Sequence, residues 1–296
     1  MSSKLYLFSD YLRGRFGRTL HKIPVAFPVT CPNRAADASG GCIYCDEAGA
    51  RAGHLPPFAP ISEQVRIGVR NAANRYGAKP PYIAYFHAFT STNAPLERLR
   101  GWVSETLDAA DFSMLIFSTR PDCLPENILD FLSDLALKRE VWLELGVQSA
   151  HDATLKRINR GHDFACVEKA VRSLSGRGIK CAAHVILGLP GEGLAEFRET
   201  AARLSGLPFS GIKLHNLLVL EGTPLADMWR RGELQTMDEH EYVEALVDFL
   251  QRIPRAWPVL RLISEAPEKK ILAPRWTVPK AQFIDLARKQ WIRQSH

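Results

Sequence analysis

Three of the six cysteines, Cys31, Cys42 and Cys45, fall within the short stretch CPNRAADASGGCIYC, and no further cysteine occurs before Cys123. Thiolates at this spacing are metal ligands in the making, but a structural zinc site requires a fourth donor. His54, nine residues past Cys45, is the nearest candidate. Iron–sulfur chemistry can work with three, because a four-iron cluster held by three cysteines keeps one iron open to a ligand that is not protein. The loop favours this second reading. Gly40 and Gly41 let the backbone turn tightly before Cys42, so that amides approach cluster sulfurs, and Tyr44 offers a flat surface suited to a purine ring. Packed free thiols are the remaining alternative. Six cysteines without a paired framework argue for metal or catalytic use rather than disulfides.

Several short aliphatic runs must position these residues, and they alternate with stretches of helical period. Strands are expected at residues 23–27, 81–87 (PYIAYFH), 113–119 (SMLIFST), 141–147 (VWLELGV), 181–189 (CAAHVILGL) and 211–220 (GIKLHNLLVL). Helices are expected between them at 62–76, 95–109, 125–138, 164–176 and 194–204, with Ser149 and Asp152 forming a capping box for a short further helix. Near-continuous apolar strands joined by helices read as a parallel sheet covered on both sides. Six such units fit an α/β fold, an open and incomplete relative of the eight-fold β/α barrel, a (β/α)6. Chemistry then collects beyond the C-terminal strand ends, where the cysteines, HAFTST, TRPD, GVQS, GLPGE and EGTPL all fall. Residues 1–22 form a basic N-terminal segment, 23–222 the barrel, and 223–296 a helical and irregular C-terminal extension packed on it.

The chain has 296 residues and a net charge of +6, unevenly spread. Residues 1–22 carry five Lys/Arg against one acid and residues 251–296 ten against three, leaving the middle with 23 against 28. Basic ends of this kind form either a footprint for a polyanion such as RNA or ordinary solvated faces. No apolar run resembles a signal peptide or a membrane span, so a cytoplasmic protein with no membrane partner is expected.

The loop FPVTCPNRAADASGGCIYCDEAGA, preceded by FSDYLRGRFG, resembles the radical S-adenosylmethionine (radical SAM) enzymes, specifically their YhcC/YtqA-like branch, which is related to Elp3-type proteins. The resemblance runs from about Leu5 to Trp276. It implies a radical SAM barrel in which Cys31, Cys42 and Cys45 hold a 4Fe-4S cluster and S-adenosylmethionine (SAM) chelates the open iron. An electron from a donor such as flavodoxin or ferredoxin would then cleave SAM to a 5′-deoxyadenosyl radical that abstracts hydrogen from a substrate.

The resemblance also implies contacts to SAM: Tyr44 at the adenine, Thr90 and Thr92 at the methionine amino group, Gln148 and Ser149 at the ribose or methionine, and Arg160 at the carboxylate. Gly161 would end a helix behind Arg160. His184 would reach the ribose, and Leu187 with the following GLPG would frame the adenine. His87 stands where glutamine is expected and Ser118 where some relatives place a ribose-binding glutamate; Lys213 and His215 would line the substrate or adenine pocket. Arg120 and Asp122 are read as a structural ion pair, Cys166 and Cys181 as small core residues, and Cys123 as the one other thiol near the rim. For the substrate, tRNA and its wobble uridine come first, on the Elp3-type similarity and the basic ends. A small metabolite or peptide, or a non-catalytic zinc- or cluster-binding role, are the alternatives.

Overall fold

A computed structural model describes residues 4–35, 39–46, 56 and 59–294. In chain order its elements are α1 (Phe8–Phe16), β1 (Lys22–Val25), α2 (Ile61–Tyr76), β2 (Tyr82–Phe86), α3 (Leu96–Ala109), β3 (Phe112–Thr119), α4 (Glu126–Ala136) and β4 (Glu140–Gln148). There follow α5 (Asp152–Arg157), α6 (Phe164–Arg172), β5 (Lys180–Leu187), α7 (Leu194–Ser205), β6 (Gly211–Asn216), β7 (Val219–Leu220) and α8 (Pro224–Arg230). The chain closes with α9 (Glu239–Gln251), β8 (Val259–Arg261), β9 (Ile271–Ala273) and α10 (Lys280–Gln294).

Seven strands pair in parallel in the order β1-β2-β3-β4-β5-β6-β8. The strands β2, β4 and β5 are buried almost throughout, as expected for a sheet covered on both faces. Ala84, Phe86, Leu115, Phe117, Leu143 and Leu145 face the surrounding helices, while Ile83, Tyr85, Met114, Ile116, Trp142 and Ala182 face inward. The inward set is plugged by Phe8 and Leu12 of α1. The sheet curls strongly. In a flat sheet β2 and β6 would lie about 19 Å apart, yet Lys213 Nζ on β6 reaches Tyr85 OH on β2 at 3.1 Å.

The expected strands and helices are present, with instructive differences. The first strand ends at Val25, because the backbone N–H and C=O of Ala26 are taken by the buried side chain of Gln64 at 2.8 and 3.0 Å. That amide fixes the direction in which the chain enters the cysteine loop. The run 211–220 is two strands: β6 stops at Asn216, and β7 leaves the sheet to pair antiparallel with β9. The helix expected over 164–176 stops at Arg172 and gives way to turns.

Ser149 and Asp152 form no capping box. Helix α5 begins at Asp152 after His151; Ser149 Oγ instead accepts from His151 N at 2.9 Å, and Asp152 Oδ1 from Phe164 N at 2.8 Å. Three elements had no expectation: α1, whose charged residues hide its short apolar stripe; β9, in a stretch read as irregular; and β8, a three-residue strand that lies within residues 223–296 yet adds a seventh strand to the main sheet. No helix among the described residues is long and apolar enough to cross a membrane.

Candidate active site

Three hydrogen bonds from two neighbouring segments hold the cysteine loop. Asn159 Nδ2 donates to Gly41 O at 2.7 Å, Ile43 N donates to Ile158 O at 3.1 Å, and Leu225 N of α8 donates to Ile43 O at 2.9 Å. Gly40 and Gly41 both have positive φ, 77° and 89°, which bring the chain round to Cys42 as the glycine pair suggests. Cys45 N closes a turn onto Cys42 O at 3.0 Å. The Cys42 sulfur receives two donors, Arg160 Nη1 at 3.6 Å and Asn33 Nδ2 at 3.8 Å. Burial pushes the Cys45 thiol up, opposed by the Arg34 guanidinium. His54, the alternative fourth ligand, lies outside the described residues.

Among the described residues, no three His, Cys, Asp or Glu side chains are grouped tightly enough to share one metal ion. A cluster, by contrast, takes each thiolate on a different iron. Hydrogen bonds to thiolate sulfur of the kind Arg160 and Asn33 make are the groups that tune such a centre.

Behind Cys42 lies a second construction. Strand β4 slips its register between Gly146 and Gln148, and Gln148 takes φ +71°, so its side chain turns toward the rim. Arg160 arrives from the turn after α5, where Asn159 and Gly161 have φ of 53° and 77°. The helix itself ends at Arg157, so Gly161 turns the chain beyond it rather than ending it. Arg160 Nη2 donates to Gly146 O at 2.7 Å.

The two side chains meet over Gly146: a Cβ there would stand 2.4 Å from Arg160 Nη2 and 3.0 Å from Gln148 Nε2. Each leaves one buried atom without a partner, Arg160 Nε and Gln148 Oε1. Buried polar atoms are ordinarily satisfied. A bare guanidinium N–H and a bare amide oxygen, on two side chains that meet over Gly146, therefore fit a ligand carrying both a carboxylate and donor groups, as SAM does. Arg160 O accepts from Arg120 Nη1 at 2.8 Å, and Arg120 is itself fixed by two bonds to Asp122 at 2.8 and 2.7 Å.

The other expected contacts divide. Tyr44 is half-buried; burial, with the Cys42 charge beside it, pushes the phenol well up. Thr92 Oγ1 is committed to Thr119 Oγ1 and to Cys123 O, tying the loops after β2 and β3 together, while Thr90 is buried beside it. Ser149 Oγ is bonded to Glu192, whose carboxyl burial pushes up. Leu187 is fully buried in the outer core, so only its backbone faces the rim. Cys123 is buried, and burial with Asp122 beside it pushes the thiol to about 12. Cys181 is core, whereas Cys166 is half-buried on α6 and does not belong to it.

Inside the barrel stands a layer that the sequence barely indicated. Glu144 accepts from Tyr85 OH at 2.7 Å, Lys213 Nζ at 2.6 Å, Ser118 Oγ at 3.2 Å and Lys22 Nζ at 3.2 Å. Burial alone would raise this carboxyl, but Lys213 and Lys22 overcome it and hold it well below the usual range. His184 and His215 lie with ring centroids 4.2 Å apart, and His87 stacks on Tyr85 at 4.9 Å. Burial, reinforced by Lys213, pushes His87 down to about 4. His184 and His215 are pushed well below their ordinary value by burial first. Lone polar residues in apolar strands gave the only signal, and Glu144, Tyr85 and Arg261 were not singled out.

Comparison with known proteins agrees with this construction. The model of the radical SAM superfamily matches residues 29–204, and that of the Radical_SAM C-terminal domain matches 209–293. YtqA of Bacillus subtilis is 35% identical over 292 residues, 97% of this chain and 89% of the relative. The tRNA uridine(34) acetyltransferase of Methanocaldococcus infernus is 33% identical over 147 residues, 48% of this chain and 27% of that enzyme. The structure of Methanocaldococcus infernus Elp3 shares the fold, with a TM-score of 0.72 at 21% identity over 93% of this chain and 63% of that one. The chain is thus an enzyme belonging to the radical SAM superfamily, built on that superfamily's incomplete barrel.

Proposed function

We propose that Cys31, Cys42 and Cys45 hold a 4Fe-4S cluster, that SAM is held over Gly146 by Arg160 and Gln148, and that the substrate is a nucleoside of tRNA, the wobble uridine. When bound, the cluster supplies the electron that cleaves SAM and starts radical chemistry. The protein's own residues do the rest. Asn33 and Arg160 donate to the Cys42 sulfur, the Arg160 fork takes the SAM carboxylate, and Gln148 fixes the donor groups beside it. Thr92, bonded within the rim, and Ser149, bonded to Glu192, hold the surrounding loops rather than offering a free hydroxyl. Thr90 and His184 complete the wall on either side, Tyr44 covers the cluster loop, and the backbone after Leu187 borders the adenine.

The observation that carries the SAM site is the pair of bare buried atoms, Arg160 Nε and Gln148 Oε1, over a position where only glycine fits. Support for tRNA comes from the half-chain similarity to the tRNA uridine(34) acetyltransferase. The basic N-terminal segment contributes little to it. Arg15 pairs with Glu140 at the first residue of β4, and Arg18 bonds carbonyls just before β2, so this charge lies at the strand ends opposite the rim. A reductant such as flavodoxin or ferredoxin would deliver the electron from the cysteine-loop side.

The test is binding of bulk tRNA by the anaerobically reconstituted protein at two salt concentrations, with nucleoside profiling of cells with and without the gene. Binding that weakens steeply with salt, together with a changed wobble nucleoside, supports the reading. Unchanged nucleosides with an altered small metabolite would replace tRNA by that metabolite.

A further inference from the structure

The inner layer carries more positive charge than its own acid can balance. Lys22, Lys213 and Arg261 converge inside the barrel, and Glu144 is the single carboxylate hydrogen-bonded there among the described residues. Glu144 is fully used: both lysines and two hydroxyls already donate to it. Arg261 is different. Its Nη1 meets His215 Nε2 at 3.3 Å, and it forms no ion pair among the described residues. Next to it, His184 Nε2 is buried and without a partner, and on the far wall His87 Nδ1 is too. Two excess positive charges and two bare imidazole nitrogens in a half-closed interior are costly unless an anion completes them.

The layer is also in the right place. Gly146, His184, Lys213 and Arg261 are successive partners in one row of the sheet register. The row begins under the Arg160 and Gln148 side chains and ends at Arg261, so whatever binds there lies alongside the proposed SAM site. We propose that Arg261, with His184 and His215, binds an anionic group of the substrate, a carboxylate or a phosphate, while the Lys213–Glu144 pair holds this arrangement in place. The anion would select the substrate and set its depth against the site where the radical is formed.

The choice of uridine compounds as probes rests on the function proposed above; the anion site itself does not. The experiment is calorimetric titration of the anaerobically reconstituted protein, saturated with SAM, at low ionic strength. Five probes are compared: uracil-5-carboxylate, uridine 5′-monophosphate, neutral uridine, and the bare anions acetate and phosphate. The expected result is that one of the two anionic uracil compounds binds about tenfold or more tighter than uridine, as one charge-assisted hydrogen bond would give. Which of them does so tells a carboxylate on the base from a phosphate. Arg261→Gln should bring that ratio to within about twofold, and Arg261→Lys should keep most of it.

Equal binding of neutral and anionic probes by the wild type, or an undiminished ratio in Arg261→Gln, overturns the proposal, as does binding of no probe at all. Loss of anion binding when SAM is added also overturns it, by showing that SAM itself takes the layer. If Arg261→Gln does not fold, the wild-type ratio and Arg261→Lys still decide. If only acetate or phosphate binds, and does so through Arg261, the anion site stands and the uridine reading falls.

Discussion

At the rim, one loop of local sequence supplies the three thiols and Asn33, and Ile158, Asn159, Arg160 and Leu225 come from elsewhere to hold it. In the barrel interior the reverse holds: β1, β2, β3, β4, β5, β6 and β8 give one or two polar side chains each, and the hydrogen-bonded partners among them are at least 26 residues apart in sequence. Glu144 and Lys213 are 69 residues apart, and Tyr85 and Lys213 128. The rim leaves polar atoms bare where a cofactor with known groups would fit. The interior leaves positive charge bare, where the chemistry of the missing partner has to be read from the charge itself. A local motif thus carries the proposed initiator of the reaction, and a dispersed layer the proposed selection of what it acts on.

Breaking each region should give different signatures. At the rim, replacing Cys42 with alanine should remove the cluster and reduce SAM cleavage to background; iron analysis and product chromatography check this, with Cys31 and Cys45 behaving alike. In the interior, Glu144→Gln leaves Lys213 and Lys22 facing each other without their acid and should destabilise the fold by about 3–5 kcal/mol, read as a lowered denaturant midpoint. Because the Glu144 carboxyl sits well below its ordinary value in the folded protein, its contribution is present above the usual carboxylate range and is lost as pH falls through and below it.

A finer break of the rim is Gly146→Ala, which pushes a methyl into Arg160 Nη2 and Gln148 Nε2. Loss of one charge-assisted contact predicts about 10–100-fold weaker SAM binding, with iron content retained. The histidines test the interior by pH. Burial pushes His87 down to about 4 in the folded chain, so between its ordinary value of 6.5 and about 4 the unfolded chain takes a proton that the folded one refuses. Stability should therefore be highest above pH 6.5 and fall by on the order of 1–2 kcal/mol toward pH 5, seen as a Tm several degrees lower. The smallest effect belongs to neither region. Arg198→Ala, on an exposed pair with Asp248, should cost less than about 1 kcal/mol and leave SAM cleavage unchanged.

The contrast also explains what could be read before the structure. The apolar strands and most of their helices were legible because β2, β4 and β5 are buried on both faces and write that burial into unbroken aliphatic runs. The cysteine loop was legible because its ligands are neighbours in the chain. Helix α1 was not, since charged residues outnumber its two buried ones, Phe8 and Leu12. Strand β8 was not, since three residues carry no period; that omission hid Arg261. Ser149 looked like a cap because its spacing to Asp152 is right, but Glu192, brought from the loop after β5, takes its hydroxyl. Gln148 and Arg160 were reached only through family resemblance. The register slip at Gly146 that brings them together is a property of pairing between strands, which no single strand's sequence displays.

The most direct test of the central claim is anaerobic reconstitution of the full chain with iron and sulfide, followed by metal analysis and incubation with SAM and a reductant. The account predicts a brown protein with about four irons per chain that cleaves SAM when reduced, and that loses both properties in Cys42→Ala. A colourless protein carrying one zinc, inert toward SAM, would contradict it.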